Sequence, residues 1–167
     1  MYLFMTYVGG YNDRTNIELH DVRFVIGQTI EACFPDLRKQ WWGSEKMFHL
    51  DAWGKVEYVE DYEVSIRREP ADHSEKLYFV NLGGYDPTCF TELHKNVLVI
   101  AKGEMEAKVK AKSQIQDWKQ PHKDNCFEVE KILELTHVGD YHIHLKRTNH
   151  PKPFEFTCAF KGITRKV

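Results

Sequence analysis

Self-similarity constrains this chain more than any other feature of its 167 residues. Shifting the sequence by 74 positions aligns Leu3–Gly27 with Leu77–Ala101 without a gap, and nine of those 25 positions are identical. The identities are clustered: Gly9-Gly10-Tyr11 recurs as Gly83-Gly84-Tyr85, Glu18-Leu19-His20 as Glu92-Leu93-His94, and Val25-Ile26 as Val99-Ile100. Clusters held in one register are hard to attribute to shared composition. Later matches drift, with Trp42 matching Trp118 at an offset of 76, then Val59, Asp61, Tyr62 and Arg68 matching Val138, Asp140, Tyr141 and Arg147 at an offset of 79. Solenoid units run about 20 to 50 residues. The longer period here reads as a duplicated domain, with units at residues 1–73 and 75–167.

Each copy carries the same succession of patterns. Leu3–Val8 and Leu77–Leu82 are apolar runs of strand length ending in paired glycines, which read as tight turns needing positive φ. Second strands are expected at Val22–Ile26 and Asn96–Ala101. Thr29 can cap a helix whose Ile30, Cys33, Phe34, Leu37 and Trp41 share one face, with Pro35 kinking or restarting it. Glu104–Trp118 alternates like a strand but is built largely of strong helix formers, and its place in the repeat makes it a helix. Two further strands close each copy: Phe48–Tyr58 with Tyr62–Arg67, and Phe127–Leu135 with Tyr141–Lys146.

The expected fold class is therefore α+β, a tandem duplication of a ββαββ unit about a pseudo-twofold. Phe154, Phe156, Cys158 and Phe160 alternate as an extra C-terminal strand with no counterpart in the first copy, expected to cross onto the other half. A unit of roughly 75 residues buries little surface alone, so the copies should share an interface.

Composition removes several function classes. Apolar residues at 42% and charged residues at 29% are the balance of a globular protein. A net charge of −2 leaves no basic footprint for nucleic acid. The longest apolar run, Val97–Ala101, is far short of the roughly 20 residues a membrane helix needs. The N-terminal run Met1–Val8 reads as a strand rather than a signal peptide, so a cytoplasmic location is expected. Cys33, Cys89, Cys126 and Cys158 form no C-x-x-C pair. Neither a cofactor nor a metal is expected.

The polar residues that stand out are paired. Glu18 and His20 share strand parity with Val22, Phe24 and Ile26, and Glu92 and His94 share it with Leu98 and Ile100. A carboxylate beside an imidazole can tune a general base or supply metal ligands; it can also tie a loop to a strand by mutual satisfaction. Recurrence in both copies favours the structural role. His49 and Asp51 are a second i, i+2 pair, found in the first copy only, and so the more enzyme-like asymmetry. His142 and His144, with His137, lie on the parity opposite Tyr141, Ile143 and Leu145 and read as surface histidines. Lys108, Lys112 and Lys119 are interleaved with acids, as on a solvated helix face. Trp41 continues the helix stripe, which leaves Trp42 as the exposed aromatic.

Leu3–Gly10, Glu18–Gly27, Phe34-Pro35-Asp36-Leu37-Arg38 and His49-Leu50-Asp51 together resemble the bacterial family catalogued as domain of unknown function 1543. The resemblance implies a domain present in one or two copies per protein. It implies no established activity, so no catalytic role carries over. The second copy keeps the glycine pair and Glu92-Leu93-His94 but shows Asn125-Cys126-Phe127 near the position of His49-Leu50-Asp51.

Two functional readings follow. The first is a non-enzymatic ligand-binding or interaction scaffold with a groove between the repeats, for a small molecule or a protein, with Trp42, Glu92 and His94 as candidate contacts. The alternative is a small hydrolase-like or metal-dependent enzyme using Glu18, His20, His49 and Asp51. The second requires those four groups to converge on one pocket.

Overall fold

The structure is a computed structural model that describes residues 1–45, 47–115 and 129–163. It begins with a hairpin of β1 (Tyr2–Gly10) and β2 (Leu19–Gly27). A 3-10 turn at Glu31–Cys33 leads into α1 (Phe34–Gln40), followed by β3 (His49–Lys55), β4 (Tyr58–Val59) and β5 (Tyr62–Arg67). After a linker come β6 (Lys76–Gly84), β7 (Leu93–Ala101), α2 (Glu104–Ser113) and β8 (Val129–Leu135). β9 (His137–Val138), β10 (Tyr141–Arg147) and β11 (Phe156–Gly162) follow among the described residues. The class is α+β. Three antiparallel sheets have the orders β11-β3-β1-β2, β7-β6-β8 and β4-β5-β10-β9.

Period-two alternation sorts the core into layers. On β1 and β2, Leu3 and Phe24 point to a central cluster, while Phe4, Val8 and Val25 point the other way onto Cys33, Leu37 and Trp41 of the helical segment. On the second large sheet, Leu77, Phe79 and Ile100 face the same central cluster, while Tyr78, Val80 and Leu82 face Ala107 and Ala111 of α2. The order is thus helix, sheet, shared core, sheet, helix. Val64 and Ile143 of the small sheet join the shared core, so neither segment owns it.

The small sheet is built from both segments. β5 pairs with β10 in the register Val64 to Leu145, Ser65 to His144 and Ile66 to Ile143. Ser65 therefore lies opposite the residue 79 positions further on (144 − 65 = 79). The flanking two-residue turns also match, with positive φ of 52° at Glu60 and 57° at Gly139, again 79 apart (139 − 60 = 79). His73 clasps the linker to this sheet: its Nδ1 donates to the Glu75 carbonyl and its Nε2 accepts from the Leu145 amide at 3.2 Å.

The strand edges differ from the sequence reading in an informative way. Both glycine pairs lie inside β1 and β6, not in turns, and among the described glycines only Gly139 has positive φ. Each helix sits near its expected place. Pro35 sits in the first turn of α1, after the 3-10 turn, where the helical amides have no partner to lose. The C-terminal part of the expected Glu104–Trp118 helix and the start of the expected Phe127–Leu135 strand lie outside the described residues, as does Cys126. A two-residue strand, β4 or β9, precedes the last strand of each succession. β11 crosses to the first segment and pairs with β3. Among the described residues no helix is long and apolar enough to cross a membrane.

Candidate functional site

A β-bulge builds the site. Between Tyr7 and Val8 the β1/β3 register shifts, so Leu50 pairs with Val8, Ala52 pairs with Tyr7, and Asp51 is the extra residue. Bulges re-aim side chains. Here Leu50 turns into the core layer under α1, while Asp51 and His49 stand on the opposite face over Gly9. His20 reaches the same spot from β2, where it pairs with Gly9, and Glu18 comes from just before that strand. Gly9 is required by this crowding. A Cβ there would lie 2.7 Å from both Asp51 Oδ2 and His49 Nε2, and 3.2 Å from the His20 ring. The four sequence candidates Glu18, His20, His49 and Asp51 thus meet in one place.

Their nitrogens and oxygens are interleaved. His20 Nε2 lies 3.5 Å from Glu18 Oε2 and 3.3 Å from Asp51 Oδ2. His49 Nε2 lies 3.1 Å from Glu18 Oε1 and 3.3 Å from Asp51 Oδ1. The His49 side chain is only 4% exposed, whereas those of His20, Glu18 and Asp51 are partly open. His49 Nδ1 donates to the Met47 carbonyl at 2.6 Å, which commits that proton. Its Nε2 then faces two carboxylates either as a bare acceptor or through a second proton. Asp51 Oδ2 is buried and faces His20 Nε2 at 3.3 Å without an aligned hydrogen bond. Two carboxylates thus share two imidazole nitrogens.

Tyr7 connects the cluster to a cavity. Its ring stacks on His20 with centroids 5.1 Å apart and planes at 4°. Burial, then the Asp51 and Asp21 carboxylates, push its phenol above the usual value. Tyr7 and Ala52, the neighbour of Asp51, line an apolar cavity of about 300 Å³ completed by Met5, Trp53, Phe154 and Phe156. A wider groove of about 530 Å³ shares Met5 and Phe154 and runs between Val59 of the first segment and Leu98 of the second. β11 contributes at both ends. Beyond Phe156, a register shift between Cys158 and Lys161 leaves Phe160 against the His49 ring at 4.5 Å.

The second segment repeats the geometry in part. The β6/β8 register shifts between Asn81 and Leu82, making Glu130 the extra residue between Val129 and Lys131. Glu130 therefore corresponds to Asp51 (130 − 51 = 79), and the carboxylate is kept where the sequence alone had placed Asn125-Cys126-Phe127. Its oxygen lies 3.3 Å from His94 Nδ1, with Glu92 3.7 Å from His94 Nε2, and a Cβ on Gly83 would meet it at 2.5 Å. Asn81 stands where Tyr7 does and bonds Asn96, so no ring covers His94 from that strand.

The remaining candidates lie elsewhere. Trp42 is 55% exposed and stacks on Trp41 at 5.4 Å. His144 Nε2 is 2.9 Å from the Glu69 carbonyl, and His137 and His142 sit 6.2 Å apart. Among the described residues no group of three or more His, Cys, Asp or Glu side chains is arranged to hold a metal ion. Sequence reasoning missed Tyr7, Glu130 and Phe160. The offset of 79 taken from later strands could have found Glu130; nothing local marks the other two.

Residues 15–66 match the profile of a family described as Domain of Unknown Function (DUF1543), a stretch that includes Glu18, His20, His49 and Asp51. The crystal structure of a protein Il1583 from Idiomarina loihiensis is similar over 98% of each chain, with 28% identity and a TM-score of 0.77. No curated protein matches.

Proposed function

We propose that the chain is a tandem duplicate, residues 1–73 and 75–167, and that its first copy together with β11 binds a small organic molecule. Three correspondences support the duplication: the matched bulges at Asp51 and Glu130, the matched turns at Glu60 and Gly139, and the pairing of Ser65 with its own counterpart His144. That pairing fits a pseudo-twofold axis through the centre of the small sheet. The observation that carries the binding reading is the convergence of Glu18, His20, His49 and Asp51 beside an apolar cavity through the ring of Tyr7. Pockets of this kind, mostly apolar with a few convergent polar groups, are the usual form of small-molecule sites. The second copy lacks the tyrosine and is more open, which favours one site over two.

The same convergence supports a second reading, a proton-transfer enzyme in which His20 acts as the base, oriented by Asp51 and Glu18 within hydrogen-bond reach. Both readings share one test. Amide-detected NMR of the full chain with a set of single-ring fragments should move the signals of Tyr7, His20, Ala52 and Trp53 together. Shifts confined to the Trp42 surface, or scattered over the molecule, count against both. Turnover of a bound neutral ester, abolished by His20→Asn with binding intact, separates the enzyme from the binding protein.

A further inference from the structure

The charge balance around the four side chains points to the sign of the ligand. Among the described residues, the ion partners of Glu18 and Asp51 are His20 and His49, with no lysine or arginine within 4.0 Å. Arg23, three residues along β2 from His20, is engaged by Asp21 at 2.6 Å. Lys161, above the Trp53 ring, is engaged by Glu31. Among the described residues no charged side chain lines the adjoining cavity. The cluster thus carries two carboxylates with no strong cation beside them, and the cavity it adjoins through the Tyr7 ring is walled by aromatic rings.

We infer that the site recognises an organic ammonium: a protonated amine on a small apolar or aromatic body. The inference rests on the small-molecule site proposed above and narrows its ligand. An ammonium group brings three N–H donors and no acceptor, which complements Glu18 and Asp51. Aromatic faces add cation–π attraction to the same charge. An anion would meet two carboxylates with only the two imidazoles, and no lysine or arginine, beside them among the described residues. A bare metal ion would leave the aromatic cavity without an occupant.

Calorimetric and NMR titration of the full chain with four probes tests this: phenethylamine, 2-phenylethanol, 3-phenylpropionate and zinc ion alone. Phenethylamine is expected to bind at least about tenfold more tightly than the alcohol, with shifts at Tyr7 and His20, while the carboxylate does not bind. Glu18→Gln combined with Asp51→Asn should bring the amine-to-alcohol ratio to about one. The wild-type ratio needs no variant and stands even if the double substitution does not fold. Equal binding of amine and alcohol at the cavity overturns the ammonium inference while leaving the small-molecule site in place. Stoichiometric zinc uptake that blocks the amine also overturns it, and failure of every probe to reach the cavity overturns both.

Discussion

Gly9 shows how much a single position can carry. It has no unusual φ, and its role is to leave room: Asp51 and His49 occupy the volume a side chain would take. Gly9→Ala should therefore destabilise the fold by about 1–3 kcal/mol, the usual cost of overpacking, and abolish probe binding. Gly103→Ala, where an added Cβ meets nothing within 4 Å, should stay within about 0.5 kcal/mol. Urea denaturation of both variants decides it; equal effects would sink the steric account. Cys33 gives a second residue-scale expectation. It is fully buried, and burial, then the Asp36 and Glu31 carboxylates, push its thiol up to about 11. Because the thiolate is the nucleophile, iodoacetamide at pH 8 should modify exposed Cys89 and Cys158 while Cys33 stays unmodified until denaturant is added. Peptide mass spectrometry reads the order.

Paired elements are held together by contacts whose strength depends on pH. Between β6 and β8, the Tyr78 phenol donates to Glu134 at 2.8 Å, and Lys76 holds the same carboxylate. Burial and then this hydrogen bond raise Tyr78 to about 12, above its unfolded value near 10. That contribution is complete below about pH 10 and is lost as pH rises towards 12. Glu134 is lowered by the Lys76 hydrogen bond, so its contribution is present above its unfolded value of 4.5 and lost as pH falls through the lower folded one. Tyr78→Phe should cost about 1–2 kcal/mol at pH 7, and the difference from wild type should shrink at pH 11. A constant difference across that range, measured by denaturation, would remove the assignment. β11 offers a separate check. Phe160 is 68% exposed yet covers His49, so Phe160→Ala should shift the His49 ring signals by NMR and leave Tm nearly unchanged.

At the scale of the whole molecule, the central cluster is contributed by both segments of the chain. Leu3, Phe24 and Val64 meet Leu77, Phe79 and Ile143 in a single cluster, and a piece of 73 residues would expose its share of it. The full chain should unfold in one transition, with tryptophan fluorescence and far-UV circular dichroism coinciding. Residues 1–73 expressed alone should lack a cooperative transition. Two separated transitions would show instead that each segment folds by itself.

The sequence by itself determined the α+β class, the approximate place of every long strand, the helix stripe of Ile30, Cys33, Leu37 and Trp41, and the crossing of the C-terminal strand to the first segment. These follow from local periodicity and from residue identities that survive a shift of register. It also singled out Glu18, His20, His49 and Asp51, though as two separate pairs. Only the tertiary structure made them one cluster, because the bulge at Asp51 and the pairing of Gly9 with both His20 and His49 depend on strands brought together from distant parts of the chain. For the same reason Glu130 stayed hidden until register replaced alignment. Phe160 sits 111 residues from His49 in sequence (160 − 49 = 111) and against it in space. Periodicity reports which face a side chain takes on its own strand; which side chains share a site is decided by the strands that pair beside it.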